Sequence, residues 1–107
     1  MMRFWFILAA LLVTGSAVAQ QPPGDALAGR EAAMRHCGGC HAVAEGQPRS
    51  ATDAAPPFIV LARNPTVTER SLPVFLKTPH ARMPSVVLTP REIGDIASYV
   101  LSLRANN

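Results

Sequence analysis

Cys37-Gly38-Gly39-Cys40-His41 is the stretch on which the reading of this chain turns. Two thiols three residues apart lie on one side of a helical turn, and a histidine placed directly after the second follows onto the same side. That spacing lets both sulfurs bond to the two vinyl groups on one edge of a haem, while the imidazole of His41 reaches the iron. C-x-x-C-H is the sequence mark of such attachment. The chain has only 2 cysteines, so there is no second C-x-x-C, and a four-ligand zinc site would have to recruit His36 or His80. A thioredoxin-like pair would sit beside a βαβ pattern, which is missing here. A plain disulfide in an exported protein is the remaining alternative.

Export is indicated by the first residues. Met1-Met2-Arg3 is a short basic start, Phe4 to Val13 is an apolar run, and Ala17-Val18-Ala19 is a small-residue cleavage pattern. Residues 1–19 are therefore expected to be a secretory signal peptide, cut after Ala19. The run is short for a bilayer span, so an uncleaved anchor on the periplasmic face of the inner membrane is the minor alternative. Residues 20–24 form a polar lead-in expected to be mobile, 25–104 the domain, and 105–107 a short tail.

The whole chain of 107 residues carries a formal net charge of +3, and one of its ten basic residues, Arg3, leaves with the leader. No run of like charges exists, so neither nucleic-acid binding nor a polybasic membrane tail is indicated. The leader also takes Trp5, Phe4 and Phe6, leaving Phe58, Phe75 and Tyr99 as the aromatics of the domain. Prolines recur from Pro48 to Pro90 and limit regular structure. So small a chain has a thin core and commonly needs a staple. A covalently held macrocycle would supply that apolar volume, making the cofactor part of the fold.

Local signals predict four short helices. Asp25 can cap a helix over about 26–37, built on Ala28, Ala32, Ala33 and Met34. Gly38 and Gly39 weaken a helix interior and suit a turn lying close against a flat ligand. Ala42 to Asp53 is turn-rich loop, and Pro56-Pro57 forces the residues before it into extended geometry. Phe58 to Ala62 is a helical turn or two, ending by Asn64-Pro65. Thr68 or Ser71 opens the next helix, carrying Leu72, Phe75 and Leu76, with Pro73 in its first turn and Thr78-Pro79 at its end. Thr89-Pro90-Arg91-Glu92 is a capping box with proline at the first helical position. Behind it Ile93, Ile96, Ala97, Val100 and Leu101 fall on one helical face, to about Leu103. With no convincing strand, the fold class is all-α, with long loops that wrap something.

A haem iron held by His41 needs a ligand on its other side. Candidates are Met34, Met83, His36 and His80. Met34 and His36 share the segment that carries the cysteines and cannot easily reach the opposite face. Met83 lies far along the chain in a loop stiffened by Pro84 and is preferred; His80 is its rival, and a vacant or water-filled position the third option.

With these residues in place the chain resembles the bacterial class I monohaem c-type cytochromes. The resemblance spans residues 24–103 and rests on Cys37 to His41, Pro56-Pro57-Phe58, Met83-Pro84 and the final helix with Tyr99 and Leu101. It implies a small cytochrome c fold with one haem c bound through two thioethers, and iron held by His41 and Met83. It further implies that the first and last helices cross at Gly29 against Tyr99, with Ala33 where many members carry a large aromatic. A prolyl carbonyl, Pro56 or its neighbour Pro57, would accept the Nδ1–H of His41 and fix its tautomer. Phe58, Leu61, Phe75 and Val86 are the apolar candidates for packing on the haem.

Met/His ligation fills both axial positions and favours the reduced iron, which suits one-electron transfer and leaves no site for a substrate. No catalytic residue is assigned. The expected function is a periplasmic electron carrier between a dehydrogenase or quinol-oxidising complex and a terminal oxidase or reductase. One alternative is the dedicated cytochrome subunit of one periplasmic dehydrogenase. Another is a haem-based ligand sensor or peroxidase-like enzyme, for which His80 and Arg82 would be the nearest distal groups.

Overall fold

The structure, a computed structural model, describes residues 24–105. The expected signal peptide, residues 20–23 of the lead-in and the last two residues lie outside the described residues. Four helices follow in chain order: α1 (Ala26–His36), α2 (Phe58–Arg63), α3 (Ser71–Lys77) and α4 (Pro90–Ala105). Among the described residues there is no strand, only one isolated antiparallel bridge between His80 and Met83. None of their helices is long and apolar enough to cross a membrane. The all-α expectation agrees with this architecture.

Each long helix starts where its cap is written in the sequence. Asp25 is extended, and its carboxylate accepts from the backbone N–H groups of Leu27 and Ala28, satisfying donors that a first turn leaves unpaired. At α4, Thr89 N–H donates to Glu92 Oε2 at 2.9 Å, while Glu92 N–H donates to Thr89 Oγ1 at 3.1 Å. This is the reciprocal capping box that the sequence announces. α4 continues to Ala105, slightly past the expected end.

α1 and α4 cross and form the centre of the fold, with α2 and α3 laid against α4. Apolar positions of α4, Ile96, Val100 and Leu103, meet Ala32 and Ala33 of α1 and Phe58 and Ala62 of α2 in one core. The crossing is close because glycine permits it. A Cβ at Gly29 would overlap the backbone carbonyl of Asp95 and lie 2.9 Å from the Ile96 nitrogen. Gly24, assigned by composition to the lead-in, is packed in the same way on the carbonyl of Gly94. The contact at Gly29 is therefore made by the α4 main chain at Asp95 and Ile96, and the glycine lets the two backbones touch.

The Tyr99 hydroxyl donates to the carbonyl of Val43 at 2.7 Å, tying α4 to the strand of loop beyond the C-x-x-C-H turn. Asp95, a buried carboxylate, accepts from the Asp25 N–H at 2.8 Å and so holds the start of α1. Arg104 donates through Nε to the Ala62 carbonyl at 2.7 Å and through Nη2 to Val67 at 2.9 Å. It supplies a partner for the Ala62 carbonyl at the end of the short helix α2 and for the Val67 carbonyl in the loop beyond. The protein thus fixes its long loops from α4 outward, and this positions the site.

Candidate functional site

The C-x-x-C-H turn is the direct continuation of α1. Cys37 N–H donates to the Ala33 carbonyl at 2.8 Å, and His41 N–H donates to the Cys37 carbonyl at 2.9 Å, so the chain keeps helical hydrogen bonding past His36. This places the pair of thiols and His41 on one turn, as the spacing requires. Gly38 has a local reason to be glycine: a Cβ there would lie 2.6 Å from the Met34 carbonyl oxygen. A Cβ at Gly39 would meet no protein atom within 4 Å.

The two cysteines are free, Cys37 buried and Cys40 exposed. Burial pushes the Cys37 thiol above its ordinary pKa, the opposite of what an attacking thiol of a dithiol redox pair requires. Among the described residues no three His, Cys, Asp or Glu side chains come together.

His41 is oriented from behind. Its Nδ1 lies 2.7 Å from the carbonyl oxygen of Pro56, and because a carbonyl can only accept, Nδ1 must carry the proton. The Nε2 lone pair is then the free one. Phe58, at the start of α2, sets its ring edge-on to the imidazole with centroids 5.5 Å apart. The backbone carries this arrangement: Phe58 N–H donates to the Ala42 carbonyl at 2.9 Å, which clamps the Pro56-Pro57 segment to the residue after His41.

A cleft of about 210 Å³ opens beside this imidazole. Its lining includes Cys40, His41 and Pro56 from the attachment turn and the loop after it, and His80, Met83 and Pro84 from the loop before α4. Leu61 and Phe75 add apolar lining. A second hollow of about 240 Å³ adjoins it, sharing Phe75, His80, Met83 and Pro84 and lined further by Val86. The donor set fits an iron porphyrin. The lining brings the Cys40 thiol, the oriented His41 imidazole, a thioether and a second imidazole together among mainly apolar walls, with the Cys37 thiol one helical turn away.

Of the expected residues, Cys40, His41, Pro56, Met83 and the rival His80 share this cleft, while Cys37 stands one helical turn before it. Leu61 and Phe75 line it, and Val86 lines the adjoining hollow. Phe58 instead belongs to the core under His41. Met34 is exposed on α1, and His36 donates through Nε2 to Glu92 at 3.2 Å, so neither lines the cleft. The stacking of His80 on Phe75, with ring centroids 3.6 Å apart, has no sequence signal beyond two aromatic rings near in the chain.

Comparison with known proteins points the same way. The chain is 42% identical over 98 residues to cytochrome c-552 of Bradyrhizobium diazoefficiens, a match that covers 92% of this chain and 89% of that protein. No protein-family model matches the chain, and no solved structure matches it.

Proposed function

The chain belongs to the class I monohaem c-type cytochromes, electron carriers with one covalent haem c, and from that premise we propose how its residues serve the carrier and where it works. Cys37 and Cys40 each form a thioether to the haem. His41 and Met83 are the two axial ligands, and the Pro56 carbonyl is the partner that sets the His41 tautomer. The observation that carries this reading is the 2.7 Å contact from His41 Nδ1 to Pro56, which leaves Nε2 free beside the cleft where Met83 stands.

When bound, the haem iron supplies the one-electron couple. What the chain itself does is hold both ligands still. The hydrogen bond to Pro56 fixes the imidazole ring and raises its basicity. Pro84 limits the backbone of the Met83 loop, and the His80–Met83 bridge ties that loop to itself. A thioether opposite an imidazole raises the potential relative to two imidazoles. Ligands that need not move on electron transfer keep the change of charge from demanding a change of structure.

The reading extends to location and partners. Residues 1–19 act as an export signal, and the protein carries electrons in the periplasm. Its partners are redox proteins: a dehydrogenase or quinol-oxidising complex on one side, a terminal oxidase or reductase on the other. The mild charge of the chain gives no reason to expect nucleic acid as a partner.

Visible spectra of the exported protein, oxidised and reduced, are the test. The oxidised form should show the weak far-red band of ferric iron bound to a thioether, and Met83→Ala should abolish it. A band that survives Met83→Ala would remove Met83 from the iron. Acid–acetone should extract the haem from the Cys37→Ala, Cys40→Ala double variant and not from the parent; haem retained by the double variant would contradict thioether attachment.

A further inference from the structure

We propose that His80 is a reserve axial ligand: when the Met83 thioether leaves the iron, the His80 imidazole takes its place. This rests on the assignment of Met83 as the resident ligand. The juxtaposition behind it is that both side chains line one cleft with His41, and that one short loop delivers them.

The lining of the cleft offers few other donors. Arg82 offers a guanidinium, a fork of N–H donors with no acceptor lone pair. Cys40 is committed to the thioether. Thr52 accepts from the Ala54 N–H through its hydroxyl oxygen at 3.2 Å and stands on the stretch between His41 and Pro56. Elsewhere, His36 is held by Glu92 at the end of α1, away from the cleft. His80 alone combines a nitrogen lone pair with a place on the Met83 loop.

Its present environment suits a reserve. The imidazole stacks on Phe75 with centroids 3.6 Å apart and an interplanar angle of 27°. Among the described residues no hydrogen bond ties either ring nitrogen, in contrast to His41 and His36. Stacking holds a ring in place without consuming its lone pair. The antiparallel bridge between His80 and Met83 pairs the two residues in one tight loop, so that the two side chains start from neighbouring positions and their exchange is confined to that loop. In the exchange one iron–sulfur bond is replaced by one iron–nitrogen bond, and no electron or proton is transferred if the imidazole is neutral. Two consequences follow. The iron remains six-coordinate and closed to small molecules, and its potential drops because a second imidazole favours the ferric state relative to a thioether.

The test uses haem-loaded protein from a host with intact maturation machinery. Three variants are compared with the parent: Met83→Ala, Met83→Ala with His80→Ala, and Met83→Ala with His36→Ala. Absorption and electron paramagnetic resonance spectra are read at several protein concentrations, together with carbon monoxide binding to the reduced form. The expected result is low-spin iron with slow carbon monoxide binding in Met83→Ala and in the His36 pair, independent of concentration. The His80 pair should be high-spin and bind carbon monoxide rapidly; His80→Asn in the same background reads the same if the alanine pair is unstable. High-spin iron in Met83→Ala alone would overturn the proposal. So would low-spin iron that survives loss of His80, or that depends on His36 or on protein concentration. A parent without the far-red thioether band is the separate result that would show the Met83 assignment itself to be at fault.

Discussion

His41 Nδ1 and the carbonyl oxygen of Pro56 lie 2.7 Å apart, across a separation of 15 residues. The partner is a main-chain atom, so its identity does not depend on the proline ring. Two roles of Pro56 can therefore be separated. Replacing Pro56 by Ala keeps the carbonyl and should leave the reduction potential and the visible spectrum close to those of the parent. The ring also restricts the unfolded chain, and its loss should cost about 0.4–1 kcal/mol. Denaturant midpoints and a redox titration on the same sample measure the two effects. A large fall in potential with unchanged stability would show that the ring, and not the carbonyl, orients His41.

The α1–α4 crossing predicts a reversal of ordinary helix propensity. Alanine in place of a helix-interior glycine normally stabilises by about 1 kcal/mol. At Gly29 the added Cβ would collide with the Asp95 carbonyl, which is backbone and cannot rotate away. Gly29→Ala should therefore destabilise, by about 1–3 kcal/mol as for other overpacked cores. Gly94→Ala within α4, where the added carbon meets no atom within 4 Å, is the matched control. Equal stability of Gly29→Ala and the parent in urea would mean that the helices can separate at little cost.

These two positions also show which features were legible in the sequence. Asp25, the Thr89–Glu92 box and the apolar face of α4 act within a turn or two, so residue spacing was enough to place both long helices. The attachment turn was legible for the same reason. What spacing could not show is contact between distant segments. The Asp95 bond to Asp25 and the reach of Arg104 to α2 span 70 and 42 residues respectively. Nothing local distinguishes either side chain from an ordinary surface charge. Gly29 marks the crossing, but that the atoms nearest to it are the Asp95 and Ile96 main chain, and that the Tyr99 hydroxyl serves Val43, has no local signal. A small residue signals a close approach without naming what approaches.

Glu92 gives the fold an acid-sensitive joint. Its pKa is lowered from the ordinary value of 4.5, first by the Thr89 backbone N–H and then by the hydrogen bond from His36. A folded-state pKa below the unfolded one contributes stability that is present above about 4.5 and is lost as pH falls through the lowered value. Thermal midpoints of the parent should accordingly decline below that pH. Glu92→Gln should be less stable at neutral pH and should show a shallower decline on acidification. Parallel curves for the two proteins would show that other carboxylates set the acid limit.

Tyr99 provides the sharpest measure of how α4 holds the loop after the attachment turn. Its hydroxyl is buried, donates to the Val43 carbonyl at 2.7 Å, and its pKa is raised chiefly by burial. Tyr99→Phe keeps the ring, and with it the tilted contact to Phe58 at 6.4 Å, but leaves the Val43 carbonyl without this donor. An unsatisfied buried acceptor costs about 1–3 kcal/mol. Val43 lies two residues beyond His41 and is itself buried, so the loss should fall on the segment that carries the imidazole. Hydrogen exchange should accordingly accelerate at residues 41–44 more than in α4, whose own hydrogen bonds are untouched. If exchange accelerates evenly across the protein, the bond supports global stability only, and the loop is held by the Phe58–Ala42 hydrogen bond instead.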